Sequence, residues 1–339
     1  MYQYTNGNHF RFGFNGEPWR EWQDVDDKFF VQYGRPLTFE VMSWRKANEF
    51  AARRIARANK NPLAVCLSGG LDSQIVAQSF VDAGVEFSLF HYSTGHPFET
   101  QVATDFAKKI DRKLTIIDVD VREFFKGLNK QYEQVPIIHG TYELHAHLMD
   151  IVCSMGLVPI FGEGSLTRRI GQTWGVGEGH TYKTTSRHAL KMGYQCIPVF
   201  FCYTPEQMHA YVRSNFIRQL TAGEAYNFTI RDGEMTQLST RFNGNTVHHM
   251  KYLLIKEQYP ELTYVRKQVG HEHLMAEDWY EYHLGKGKLT TDWKEYLKKH
   301  YLRFDFFEPN KLGDYFEGNC TLDAARVPYQ PSAFWNYPD

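Results

Sequence analysis

The stretch Leu63-Ala64-Val65-Cys66-Leu67-Ser68-Gly69-Gly70-Leu71-Asp72-Ser73-Gln74-Ile75-Val76-Ala77-Gln78-Ser79-Phe80 decides the fold. Its first five residues form an unbroken apolar run, as expected of a strand covered on both faces. From Ser73 to Ala83 the residues read as a helix, ended by Gly84. Between strand and helix stands Ser68-Gly69-Gly70-Leu71-Asp72-Ser73. Two glycines let backbone approach an anion closely, because no Cβ intervenes. Successive N–H groups and the following helix N-terminus can then converge on phosphate oxygens. Asp72 would repel bare phosphate, but it fits if a Mg²⁺ ion lies between the two. A plain glycine turn is the bland alternative; the six-residue string between a strand and a helix favours the phosphate cradle. The Walker pattern G-x-x-x-x-G-K-[ST] does not occur at this position.

Upstream, the apolar residues of 39–58 recur at helical spacing, and Asn59-Lys60-Asn61-Pro62 stops that helix. Residues 1–37 are aromatic, with turn signals at Asn6-Gly7 and Asn15-Gly16, and read as a hairpin or an irregular entry segment. Downstream, strands are expected at 86–92, 114–119 and 158–161, with helices at 98–110, 121–132 and 142–155. This alternation predicts an α/β fold: a Rossmann-like parallel sheet with helices on both faces. Residues 171–193 are rich in glycine and threonine and read as a loop or flap; Cys196 to Tyr203 reads as a strand. Thr204-Pro205-Glu206-Gln207 is a helix start, and residues 244–258 and 274–301 read as helices. The expected organisation is an N-terminal hairpin and helix (1–60), a nucleotide-binding domain (61–170) and a mainly helical C-terminal substrate region (171–339).

The Leu67–Ala77 motif with its flanks resembles the SGGxDS signature of the PP-loop (N-type) ATP pyrophosphatases. Within that superfamily the chain is most similar to the synthetase domain of asparagine synthetase. Val158 to Ser165, VPIFGEGS, resembles that family's second motif, and Lys251 to Glu272 its late lysine-bearing helix and loop. The resemblance implies an AMP-forming carbon–nitrogen ligase using ATP and Mg²⁺. It adenylates a carboxylate or amide oxygen, releases pyrophosphate, and passes the activated group to ammonia or an amine. Carried over, Ser68, Gly69, Gly70, Leu71, Asp72 and Ser73 would hold pyrophosphate, with Asp72 binding the metal. Glu163 would act in proton transfer, Lys251 would clamp phosphoryl charge, and Lys267 would be a second phosphate contact. His91 and Tyr92 would flank adenine, and Gly162 would be a further nucleotide-binding residue.

Departures accompany the match. Leu166-Thr167 stands where the family has Asp-Glu, so a second metal-binding carboxylate is missing there. The glutaminase domain is absent, so nitrogen is expected from ammonia, an amine or a partner. Two alternatives stay open: a PP-loop enzyme that modifies a nucleobase, or a degenerate nucleotide-binding protein without turnover.

Other patterns carry less. His139, Glu143, His147 and Asp150 share helical spacing, but polar cleft lining is a simpler reading than a metal site. Arg168, Arg169, Lys183, Arg187 and Lys191 could meet an anion or nucleic acid, or could be ordinary surface charge. Thirty-eight basic and 39 acidic residues leave a net charge of −1, which gives no global pull toward nucleic acid or membrane. Five scattered cysteines, none in a C-x-x-C pair, fit a reducing compartment. No apolar run reaches the roughly 18 residues a membrane span needs, and no secretion signal opens the chain. A cytoplasmic protein is expected.

Overall fold

The computed structural model describes residues 10–14, 17–18, 29–33, 42–93, 97–120, 124, 140–162, 166–170, 173–176, 188–189, 192–217, 228–231, 234–237, 247–262 and 335–336. Its N-terminal strands β1 (Phe10–Phe14), β2 (Glu17–Pro18) and β3 (Phe29–Tyr33) form an antiparallel sheet in the order β2-β1-β3. Phe14 pairs with Glu17, so β1 and β2 are joined by Asn15-Gly16, the dipeptide that favours two-residue hairpins.

Helix α1 (Trp44–Ala58) starts at Ser43, whose side chain accepts a hydrogen bond from the Lys46 N–H. That placement satisfies one of the amides a helix start leaves open. Then come β4 (Leu63–Cys66), α2 (Leu71–Asp82), β5 (Ser88–Ser93), α3 (Pro97–Lys109), β6 (Leu114–Asp118), α4 (Gly140–Ser154) and β7 (Val158–Ile160). The four strands pair in parallel in the order β6-β5-β4-β7. The chain therefore runs outward from β4 to β6 and returns to the other side of β4. That reversal is the strand order of a Rossmann-like sheet, and it opens a crevice at the carboxyl ends of β4 and β7.

Alternation along the strands sends neighbouring side chains to opposite faces. Ala64, Cys66 and Phe90 pack with Leu148, Met149 and Val152 of α4. On the other face His91 meets Thr100 of α3, and Phe80 of α2 lies 5.6 Å from the ring of Phe87. Helices thus cover both faces, as the apolar strands predicted. The expected helix at 121–132 falls outside the described residues apart from Phe124, whose side chain is fully buried.

Beyond β7 the structure departs from expectation twice. β8 (Leu166–Ile170) and β9 (Thr173–Val176) pair as an antiparallel hairpin, with β12 (Trp335–Asn336) added at its edge. The expected loop from 171 therefore contains a strand, whose Thr173 pairs with Ile170. Cys196 to Tyr203 is no continuous strand. Only Ile197 bridges in parallel to Ile160, and Phe200–Cys202 coils into a 3₁₀ turn. Pro198 has no N–H to continue a ladder.

Helix α5 (Pro205–Val212) begins with a capping box between Thr204 and Gln207, as its sequence announced. β10 (Phe228–Arg231) and β11 (Glu234–Gln237) form a second hairpin, and α6 (Val247–Gln258) follows. The described part of the C-terminal region therefore holds short strands beside its helices; residues 274–301 lie outside it. No helix among the described residues is long and apolar enough to cross a membrane.

Candidate active site

Strand β4 delivers the chain to the crevice through Leu67. Its N–H donates to the Phe90 carbonyl at 2.7 Å, and its own carbonyl accepts from His91 Nδ1 at 2.8 Å. A carbonyl can only accept, so Nδ1 carries the proton there. Nε2 of the same ring lies 3.1 Å from the Thr100 hydroxyl. His91 is 2% exposed, with both ring nitrogens engaged inside the protein. It supports the cradle from beneath and offers no free nitrogen to a ligand.

The loop itself is pre-formed. Ser73 Oγ donates to the Gly70 carbonyl at 2.9 Å and accepts from the Ser68 N–H at 3.1 Å. Gln74 Nε2 donates to the Gly69 carbonyl at 2.8 Å. The Ser73 proton is committed within the loop, so this hydroxyl shapes the cradle. Ser68 Oγ accepts from the Gly70 N–H at 3.3 Å and keeps a proton for Ser73 or for a ligand. Gly69 sits at φ +83°, and a Cβ there would stand 3.1 Å from the Glu99 carbonyl oxygen of α3. Glycine is required on both counts. Gly70 is the residue that caps α2, and it has no side chain to accept from the first-turn N–H groups. A helix start left uncapped, with Leu71 and Asp72 in its first turn, presents N–H groups and partial positive charge to an anion.

Gly162, from the second motif, closes the crevice from β7. A Cβ at Gly162 would stand 3.0 Å from the Ser73 nitrogen and 3.1 Å from the Asp72 carbonyl carbon. The backbone of one motif thus rests directly on the other, at the point where the strand order reverses.

Lys251 arrives from α6. Its Nζ lies 2.8 Å from Asp72 Oδ1, the lysine side chain 10% exposed and the aspartate 46%. Nζ also stands 5.4 Å from the centre of the Phe201 ring, in cation–π range. Two residues far apart in the sequence, each singled out by its motif, are therefore in contact.

Position of that lysine depends on a buried joint. Asn48 of α1 donates through Nδ2 to the Tyr259 hydroxyl at 3.0 Å, and its Oδ1 accepts from Gln207 Nε2 at 2.9 Å. The Ser79 hydroxyl is given to the Ile75 carbonyl at 2.6 Å, so Tyr259 donates onward to Ser79 Oγ at 3.4 Å. One network thus joins α1, α2, α5 and the residue following α6. Outside it, Arg45 grips both Asp82 carboxylate oxygens (2.7 and 3.0 Å), the Gln258 carbonyl (3.0 Å) and Glu261 (2.8 Å), and covers the Tyr259 ring. Fork geometry of this kind suits arginine and not lysine.

Tyr92 points away from His91, as adjacent strand residues must. Its hydroxyl hydrogen-bonds to His147 Nδ1, and burial pushes the phenol above its usual range. The same burial lowers the His147 pKa, against the opposing pull of Asp150. Asp150 accepts from His188 Nε2 at 2.7 Å. His147 and Asp150 thus serve a protein network, and no group of three potential metal ligands occurs among the described residues. Glu163 and Lys267 lie outside the described residues, as do His139, Lys183, Arg187 and Lys191.

Sequence reading missed Phe201 and the Asn48 joint. The capping box at Thr204 was legible; that Gln207 also reaches Asn48 left no local signal.

No protein-family model matches the chain, and no curated protein does. Among solved structures it is similar to NMN synthetase from Francisella tularensis, at 13% identity over 74% of this chain and 99% of that one, with a TM-score of 0.35. It is also similar to the NH3-dependent NAD synthetase of Campylobacter jejuni in complex with nitrate ion. That match has 14% identity, the same two coverages and a TM-score of 0.31. Neither is an asparagine synthetase.

Proposed function

We propose that this chain is a PP-loop enzyme of the AMP-forming, carbon–nitrogen ligase type, handling a carboxylate- or amide-bearing acceptor much as the synthetase part of asparagine synthetase does. The observation that carries the reading is Lys251 held 2.8 Å from Asp72 at the mouth of an uncapped glycine cradle. A cation and a hard-oxygen ligand, side by side at open helix amides, suit a triphosphate with its counter-ion.

An acceptor oxygen attacks the α-phosphorus of ATP, and the bond to the bridging oxygen of the β-phosphate breaks. Pyrophosphate leaves into the Ser68–Ser73 loop, where backbone N–H groups offset its charge. Lys251 transfers its ammonium from Asp72 to the phosphoryl oxygens, so charge develops next to a cation already in place. Asp72, half exposed, fits Mg²⁺, which keeps several waters and needs only one or two carboxylates. When bound, the ion would offset phosphate charge; the second carboxylate of the family pattern is replaced by Leu166-Thr167. In the second half-reaction ammonia or an amine attacks the activated carbon and AMP departs. Glu163 takes the amine proton in this reading, and Lys267 adds a phosphate contact.

Incubation with α-labelled ATP, Mg²⁺, ammonia and a panel of carboxylate acceptors tests this. AMP and pyrophosphate are expected in equal amounts. Formation of ADP overturns the reading; AMP formation only with nucleobase acceptors moves the enzyme to base modification; ATP binding without cleavage marks a non-catalytic protein.

A further inference from the structure

Lys251 rests on two partners, Asp72 and the face of Phe201, and they differ in kind. Asp72 belongs to the cradle and its side chain is 46% exposed; Phe201 is 4% exposed. Just before Gly162, the Phe161 N–H donates to the Ile197 carbonyl at 2.9 Å and the Phe200 N–H to the Phe161 carbonyl at 3.2 Å, so β7 carries this segment with it. The Phe201 ring then packs at 5.6 Å on Trp44 of α1 and at 5.4 Å on Phe200. The ring is therefore set by β7 and α1, whereas the lysine arrives on α6.

An ammonium is a costly neighbour for an ordinary apolar wall, because burial strips its water. The face of an aromatic ring carries negative potential and offsets part of that cost. Nζ stands 5.4 Å from the Phe201 ring centre, and the lysine side chain is only 10% exposed. That lies inside the range of about 6 Å over which the attraction acts. An aliphatic side chain at 201 would give contact and none of this attraction. The two partners also constrain the cation differently: a hydrogen bond to Asp72 demands one direction, while a ring face tolerates a cation sliding across it.

We propose that Phe201 is a positioning residue of the nucleotide site: its ring face holds the Lys251 ammonium at the mouth of the cradle and remains its partner when the ammonium passes from Asp72 to a phosphoryl oxygen. The passage rests on the proposed function; the hold can be measured without nucleotide.

The test replaces Phe201 in the full chain with mono-, di- and trifluorophenylalanine by codon suppression. Ring fluorines withdraw negative potential from the face and leave the shape nearly as it was. Thermal denaturation without nucleotide should show the melting temperature falling stepwise, by about 2 °C at the trifluoro ring. In a Lys251→Met background the same series leaves it level or raises it, since a fluorinated ring is no less apolar. Lys251→Gln serves if the methionine variant does not fold. The same trend in both backgrounds means packing alone and overturns the proposal. The second arm repeats the lysine-bearing series with Mg-ATP bound. A ring that stays the partner weakens both states alike, so the melting temperatures fall in parallel and titration gives affinities within about twofold of wild type. A trend that vanishes with Mg-ATP, with affinity rising along the series, shows the ring abandoned and overturns the proposal. A lysine-dependent trend in a protein that binds no Mg-ATP leaves the hold standing and refutes the passage together with the nucleotide reading.

Discussion

Gly162→Ala tests whether the two motifs act as one surface. The added Cβ would stand 3.0 Å from the Ser73 nitrogen and 3.1 Å from both the Asp72 carbonyl carbon and Ser73 Cα. Ordinary contact begins at 3.4 Å, so the backbones must separate by about 0.4 Å (3.4 − 3.0). All three obstructing atoms are main chain at the start of a helix, and no side chain can turn aside. Overpacking of this sort costs about 1–3 kcal/mol, a fall in melting temperature of about 2–6 °C. The displaced atoms also belong to the proposed anion site, and loss of one charge-assisted hydrogen bond there weakens Mg-ATP binding about tenfold. Gly84→Ala is the control. Gly84 has φ +64° with nothing within 4 Å of its Cβ position, so the left-handed backbone alone costs about 1–2 kcal/mol. It lies at the far end of α2, about 18 Å from the cradle. Both variants should melt earlier by calorimetry, but only Gly162→Ala should lose affinity in titration. A Gly162→Ala protein that binds Mg-ATP as the wild type does would refute the claim that β7 shapes the phosphate site.

Asp72→Ala should abolish release of AMP and pyrophosphate while the protein stays folded, read by labelled-ATP turnover; retained activity would sink the metal assignment. Arg45→Lys should lower stability by about 1–2 kcal/mol in denaturant titration, because a lysine cannot span Asp82, Gln258 and Glu261 together. His147 has a pKa lowered by burial below its usual 6.5, so its contribution to stability is complete above that value. As pH falls below 6.5 the unfolded chain takes up a proton that the folded chain does not, and stability drops. His147→Gln should flatten the loss measured by denaturant titration between pH 7 and pH 5.

Strand β4, its glycine loop and α2 were legible because three signals coincide within twenty residues: a continuous apolar run, paired glycines and helical spacing. Lys251 was legible only through the pattern around it; alone it looks like any lysine on a helix. Its contact with Asp72 is tertiary, and no local signal encodes that. His91 and Tyr92 show how strand geometry escapes a motif reading. Placed together at a strand end, they read as joint lining of one pocket, yet strand alternation sends one to α3 and the other to α4. At Cys196 to Tyr203 apolar content suggested a strand, and Pro198 ended it after a single bridge. Asn48 escaped notice because a polar residue on an amphipathic helix looks solvent-facing until the partner helices are known.

The joint at Asn48 has a consequence for how this sequence can change. Asparagine there gives one bond to Tyr259 and receives one from Gln207. Aspartate could receive but not give, and leucine could do neither, so each single replacement strands a buried partner. Replacing both sides of a bond at once by apolar groups of similar shape escapes that penalty. Asn48, Gln207 and Tyr259 should therefore pass down lineages as a block, kept together or exchanged together. A descendant that altered only one of them would have α6 loosened, and with it the lysine that faces Asp72.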